Sequence, residues 1–309
     1  MSLRLQMLNA WLRRFEKPAL SRVVEPEVMR QRFELNARLF FHAPRGTQLQ
    51  WQVLEAEGRR VDVLDVVPAK LTAETVLLYV HGSAFLFGSP KTHAALAANI
   101  GMRLGARTVM PRYRLAPENP FPAAFDDLRT TWNGLRASGV PADQIVLGGD
   151  SAGGALALAL LGQLVKDGAP LPAAAFGLSP LVDLTFSGES FRTNAAADAV
   201  LPAERAQEMA IMYLSDHDPK DPCVSPLFAP MQGACPVWLT VGDTEILRDD
   251  SRRMAAHLRQ SGVAVTLEER ANLPHVWPIF HNVLPEARET LDTLSAWLKR
   301  QAPGSQAEN

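Results

Sequence analysis

The stretch Gly148-Gly149-Asp150-Ser151-Ala152-Gly153-Gly154 constrains this chain more than any other. Ahead of it runs Gln144-Ile145-Val146-Leu147, a short apolar segment that reads as a buried strand. Behind it runs Ala155-Leu156-Ala157-Leu158-Ala159-Leu160-Leu161, a helix of strong helix formers. A strand that passes into a helix through so few residues needs small neighbours. Gly149 and Gly153, two before and two after Ser151, lack the Cβ atoms that would collide in such a turn. Ser151 is then expected to be strained, with its hydroxyl at the positive end of the helix dipole, where a developing oxyanion is favoured. A glycine-rich turn before a helix also binds phosphate. A Walker-type loop, however, needs Gly-Lys-Ser/Thr at its end, and Ala155 follows Gly154 here. The pentad leaves both readings open, and the rest of the chain must separate them.

From residue 76 onward strands and helices alternate. Val76-Leu77-Leu78-Tyr79-Val80 predicts a buried strand, 92–104 a helix, 107–111 a strand and 122–138 a helix. Past the central turn come strands at 173–178 and 236–242, a helix at 250–261, a strand at 264–269 and a closing helix at 285–300. Such alternation calls for an α/β fold with a parallel sheet covered on both faces. Residues 49–67 alternate apolar and polar, which predicts an antiparallel strand pair. Residues 1–45 read as helices, with Leu5, Leu8, Leu12 and Phe15 along one face and Met29, Phe33, Ala37 and Phe40 continuing the pattern. Residues 187–222 carry no convincing strand and read as a helical insertion. The tail after Gln301 reads as disordered.

Composition narrows the partners. A chain of 309 residues can bury an ample core. The net charge of −2, without a basic block, gives no sign of nucleic acid or an anionic membrane. No apolar run approaches the ~20 residues of a membrane span. The N-terminal segment lacks the unbroken apolar region of a signal peptide. It reads as a helix packed on the body rather than one attached to a membrane, because its polar face is not strongly basic. Cys223 and Cys235 make no disulfide framework or metal cluster and read as reduced thiols in a cytoplasmic protein.

A serine hydroxyl becomes a useful nucleophile only when a base takes its proton, and the base needs an acid to orient it. In hydrolases built on such sheets the chain order is serine, acid, histidine. Of the four histidines after Ser151, His275 lies in a loop just beyond the last strand, at the sheet edge toward which the Ser151 turn points. His257 falls within a helix, His217 within the insertion and His281 beyond the loop. The acid is expected after the strand at 236–242, where Asp243, Glu245, Asp249 and Asp250 compete. Asp249 and Asp250 read as openers of the next helix, capping its free N–H groups. Local physics does not choose between Asp243 and Glu245. An oxyanion also needs fixed N–H donors. Ala152, directly after the serine, supplies one, and Ser83 and Ala84 in His81-Gly82-Ser83-Ala84 are the other candidates.

At these residues the chain resembles the hormone-sensitive-lipase family of α/β-hydrolases, including bacterial class IV esterases. The likeness rests on His81-Gly82-Ser83-Ala84-Phe85, Tyr113-Arg114-Leu115-Ala116-Pro117-Glu118, Gly149-Asp150-Ser151-Ala152-Gly153-Gly154 and Pro274-His275-Val276-Trp277, in that order. It implies an α/β-hydrolase fold with an eight-stranded, mostly parallel sheet, helices on both faces and a small helical cap. The cap would comprise residues 1–45 and 187–222, and the core 46–186 and 223–309. Two departures stand out. The family's first motif is usually His-Gly-Gly-Gly, and Ser83 and Ala84 replace two glycines here, which narrows the space and makes any positive φ costly. Its acid motif is usually Asp-Pro-Leu-x-Asp. Aligning Leu247-Arg248-Asp249 with the end of that motif puts Glu245 at the catalytic position, with Asp243 the alternative acid. The resemblance thus implies a cofactor-free and metal-free serine carboxylesterase for short- to medium-chain esters of small molecules, and by family analogy a homodimer through the last sheet edge. The triad would be Ser151, Glu245 and His275, with Ser83, Ala84 and Ala152 around the oxyanion, and the cap residues Leu12, Phe15, Phe186, Phe191, Met209 and Met212 over an acyl pocket. The same triad would serve a lactone hydrolase or a deacetylase. Non-catalytic receptors of this family lack the histidine, which is present here.

Overall fold

The computed structural model describes residues 2–22 and 25–301. Three helices open the chain: α1 (Leu3–Trp11), which runs through a π-helical turn at Leu12–Glu16 into α2 (Lys17–Arg22), and α3 (Pro26–Phe40). A hairpin follows, β1 (Gln48–Ala56) and β2 (Arg59–Val67). Its two turn residues, Glu57 and Gly58, both take positive φ, as a tight hairpin turn of the twisted type requires. Next come β3 (Val76–Val80), α4 (Pro90–Leu104), β4 (Arg107–Pro111), α5 (Ala123–Ala137), β5 (Ile145–Asp150), α6 (Ser151–Lys166) and β6 (Ala174–Leu178). The segment 187–222 holds α7 (Ser190–Thr193) and α8 (Ala203–Leu214) and, among the described residues, no strand. The chain closes with β7 (Val237–Gly242), α9 (Arg248–Gln260), β8 (Val265–Arg270) and α10 (Pro285–Gln301). The tail expected to be disordered, 302–309, lies outside the described residues.

The eight strands form one sheet in the order β1-β2-β4-β3-β5-β6-β7-β8. The pairs β1–β2 and β2–β4 are antiparallel, and all others are parallel. Every residue of β3, β5, β6 and β7 is buried, which is why these strands read as continuous apolar runs. Side chains of α5, α6 and α9 join the apolar cluster on one face, and those of α4 and α10 the cluster on the other. Leu156, Leu158, Leu160 and Leu161 of α6 are all fully buried, each contributing roughly 1.5–3 kcal/mol. This Ala/Leu helix is held at the middle of the molecule.

Local signals set the ends of the elements that matter for the site. Helix α4 begins at Ser89, whose hydroxyl and backbone exchange hydrogen bonds with Thr92, with Pro90 in the first turn. It ends at Gly105, whose φ of 70° fits the left-handed C-cap. Because β3, β5, β6, β7 and β8 run parallel, the segments that leave their C-terminal ends emerge on one edge. Residues as far apart in sequence as 81, 151, 245 and 275 therefore become neighbours.

Candidate active site

β5 passes into α6 with no intervening loop, and Ser151, the first helical residue, has a φ of 50°. A non-glycine residue held there costs on the order of 1–3 kcal/mol. The turn is tight because Gly149 and Gly153 carry no side chain. A Cβ on either would strike the carbonyl oxygen of Val80, and at Gly153 that of His81 as well. Glycine is required at both positions by close approach, not by backbone angle.

Around Ser151 the structure brings His275 and Glu245 together. His275 Nε2 lies 3.0 Å from Ser151 Oγ, and its Nδ1 lies 2.6 Å from Glu245 Oε2. All three side chains are buried. The other carboxylate oxygen, Oε1, accepts hydrogen bonds from Ser179 Oγ at 2.8 Å and Gly242 N at 2.6 Å. Burial pushes the His275 pKa down, but the hydrogen bond to Glu245 and its negative charge outweigh that, and the net shift is upward from 6.5. Ser179 was not foreseen. It follows β6 with a φ of 48°, donates to Glu245 and accepts the N–H of Val276 at 3.2 Å, so it ties the acid to the histidine loop.

Asp243 sits apart from the imidazole. Its Oδ1 accepts the N–H of Asn272 at 2.7 Å, and its own N–H donates to Arg270 O at 3.0 Å. It braces the turn that leads to His275. Asp249 and Asp250 stand in the first turn of α9, as expected of residues that open it, but the structure corrects the expectation that they cap its N–H groups. Asp249 Oδ2 accepts from Ser190 N, and Asp250 Oδ2 from Val182 N and Asp183 N. Both carboxylates reach across to the segment after β6, because those N–H groups have no strand partner to satisfy them. Burial and the nearby Asp183 push the Asp250 pKa up to about 8.

The loop after β3 faces Ser151. Ser83, Ala84 and Phe85 have φ of 88°, 53° and 64°, so three side chains occupy positive-φ positions that glycine fills without strain. Among the described residues, the N–H groups of Ser83 and Ala84 donate to no protein acceptor, which leaves them free for a ligand oxygen. Neighbours impose the conformation. Gly82 N donates to Asp150 Oδ1 at 3.1 Å, Tyr79 Oη to the same oxygen at 2.7 Å, and Tyr113 Oη to His81 O at 2.8 Å. Asp150 Oδ2 lies 3.4 Å from His93 Nε2. Burial would raise the Asp150 pKa, yet His93 and Tyr79 bring it below 3.8. Burial and the adjacent His93 lower the His81 pKa to about 3, so this ring stays neutral, stacked on Tyr113. No sequence spacing linked Asp150 to His93; only the packing of α4 against β3, the strand that pairs with β5, does.

Above Ser151 and His275 opens a cavity of about 400 Å³ with mainly apolar walls. Leu12 and Phe33 come from the N-terminal helices, and Phe186 and Met209 from the segment before β7. Arg32 and Glu16 also line it and pair at 2.5 Å. Of the side chains expected to cover it, Phe15, Phe191 and Met212 do not. The π-helical turn rotates Phe15 outward, and Phe191 packs behind Phe186 with ring centroids 4.6 Å apart. Among the described residues, no group of three or more His, Cys, Asp or Glu side chains is placed to hold a metal ion. No described helix is long and apolar enough to cross a membrane.

Sheet order, serine turn and cavity together define an α/β-hydrolase, and a family model described by that fold matches residues 77–279. The chain belongs to the hormone-sensitive-lipase family of α/β-hydrolases and is a hydrolytic enzyme. An acetyl-hydrolase of Streptomyces hygroscopicus is 39% identical over 234 residues, 76% of this chain and 78% of the relative. An esterase of Acinetobacter venetianus is 33% identical over 267 residues, 86% of each chain. Among solved structures, an esterase from the bacterial hormone-sensitive lipase family superposes with a TM-score of 0.89 at 34% identity, covering 97% of this chain and 99% of that one. An esterase/lipase from an uncultured bacterium gives 0.90 at 33% identity over the same shares.

Proposed function

We propose that this enzyme is a serine carboxylesterase that works through an acyl-enzyme. Ser151 Oγ attacks the ester carbonyl carbon while His275 Nε2 takes its proton. The oxyanion that forms accepts hydrogen bonds from the backbone N–H groups of Ser83, Ala84 and Ala152. The C–O bond to the leaving alcohol then breaks as His275 returns the proton to the alkoxide. A water molecule, deprotonated by the same imidazole, releases the carboxylic acid and regenerates Ser151. Glu245 holds Nδ1 protonated and stabilises the imidazolium. The observation that carries this reading is the unbroken Ser151–His275–Glu245 relay, at 3.0 and 2.6 Å, on the floor of an apolar cavity. In this reading residues 1–45 and 187–222 form the cap over the cavity, and 46–186 with 223–309 the core. The enzyme needs no cofactor, is cytoplasmic, and pairs through the exposed edge of β8.

Labelling with a fluorophosphonate, followed by mass mapping, tests the nucleophile. An adduct on Ser151, absent in Ser151→Ala, is expected. A folded wild-type protein that takes no label at Ser151 would overturn the assignment. The acetyl-hydrolase relative supports a second reading, removal of acetyl groups by the same relay. Rates across a panel of acetyl, butyryl and octanoyl esters, lactones and N-acetyl compounds separate the two.

A further inference from the structure

Helix α1 is apolar on two sides. Leu5 and Leu12 are buried against the body. The opposite row, Leu3, Met7 and Trp11, is 71%, 66% and 42% exposed, at the four-residue spacing that places side chains on one face; Phe15, 56% exposed, joins it through the π-helical turn, its ring centroid 6.3 Å from that of Trp11. A contiguous exposed apolar row marks an interaction surface, and nothing in the described chain covers this one. Helix α3 repeats the pattern: Phe33 and Asn36 face the cavity, whereas Leu35 and Leu39 are exposed. The two rows run to the cavity mouth, where Trp11, Phe40 and Val283 are both lining and exposed.

Charge indicates what covers this face. Residues 2–22 carry Arg4, Arg13, Arg14, Lys17 and Arg22 against one acid, Glu16, which is turned inward onto Arg32. Arg4, Arg13, Arg14 and Arg22 are exposed and have no carboxylate partner among the described residues. Arg14 lies over the Phe15 ring, 5.5 Å from its centroid. These cations are interspersed with the outward apolar side chains Leu3, Met7, Trp11 and Phe15. An anionic lipid surface accepts both components, the apolar side chains at the acyl boundary and the arginines at the headgroups.

We propose that α1 and α3 dock this enzyme on anionic phospholipid bilayers, with the cavity mouth facing the lipid. The substrates it meets there are esters partitioned into the membrane. Docking is separate from the ester chemistry, and its test reads binding and not turnover.

The test is cosedimentation of the full chain with vesicles of phosphatidylcholine alone and of phosphatidylcholine with phosphatidylglycerol. Binding to the second kind, weakened by high salt, is expected. The variant Met7→Glu/Phe15→Glu, which alters no cavity-lining side chain, should lose about tenfold or more in apparent affinity and keep wild-type rates on a water-soluble short-chain ester. If that variant misfolds, Leu35→Glu/Leu39→Glu serves in its place. Failure of the wild-type protein to bind phosphatidylglycerol vesicles would overturn the proposal, as would binding unchanged in both variants. A wild-type dimer in sedimentation velocity that either variant dissociates would assign the face to a second copy and overturn it as well.

Discussion

Glu245→Gln exchanges a carboxylate oxygen for an NH₂ group inside a buried side chain. The surroundings decide which way the amide must point. Oε1 already accepts two hydrogen bonds, from Ser179 Oγ at 2.8 Å and Gly242 N at 2.6 Å. A glutamine keeps its carbonyl oxygen there, because an NH₂ group in that place would face two donors. Its NH₂ therefore points at His275 Nδ1, which must accept. That forces the imidazole proton onto Nε2, 3.0 Å from Ser151 Oγ, where the ring can no longer take the hydroxyl proton. Wrong-tautomer triads lose about 10⁴ in kcat, roughly 5.4 kcal/mol at about 1.36 kcal/mol per factor of ten. The fold keeps all of Glu245's other hydrogen bonds, so Tm should stay close to wild type. Steady-state rates on a p-nitrophenyl short-chain ester provide the assay, with Asp243→Asn as the comparison. Its amide oxygen can still accept the Asn272 N–H, so it should cost about tenfold or less. The reasoning is refuted if Asp243→Asn proves the more damaging change, or if Glu245→Gln retains activity within about tenfold of wild type.

Two further outcomes follow from the charge environment. Because Glu245 raises the His275 pKa, and only the neutral imidazole acts as base, the acid limb of kcat/KM should have its midpoint above 6.5. In Glu245→Gln that midpoint should move downward, since burial is then unopposed; a wild-type limb below 6.5 would contradict this. Asp250 has a folded-state pKa of about 8 against an ordinary 3.8, so its protonated form stabilises the native state at low pH and that contribution is lost as pH rises toward 8. Asp250→Asn keeps the acceptor for Val182 N and Asp183 N, so its Tm relative to wild type should rise between pH 5 and pH 9, as followed by calorimetry; parallel Tm–pH curves would rule the coupling out.

The alternation of apolar runs with amphipathic helices was enough to determine the sheet, because buried parallel strands and their covering helices must each be apolar at their own period. It also singled out Ser151 and His275, which the structure brings to 3.0 Å of each other. A serine flanked by glycines at a strand–helix junction, and a histidine just past the last strand, acquire their meaning from position along the chain. Local pattern stops at the acid. Asp243 and Glu245 stand two residues apart in one loop, and what separates them is long-range: Asp243 is engaged by Asn272, whereas Glu245 is oriented by Ser179, a residue 66 positions away. The same holds for Asp250, whose partners belong to the segment after β6, and for Asp150, fixed by His93, Tyr79 and Gly82. Phe15 shows the limit most plainly. Its spacing matches Leu5, Leu8 and Leu12, but one π-helical turn changes the angle per residue and carries it from the cavity side to the surface. Periodicity fixes which residues share a helix face only while the helix stays regular. Which hydrogen bonds a buried carboxylate makes, and which side of a helix meets the body, are settled by packing between elements distant in sequence.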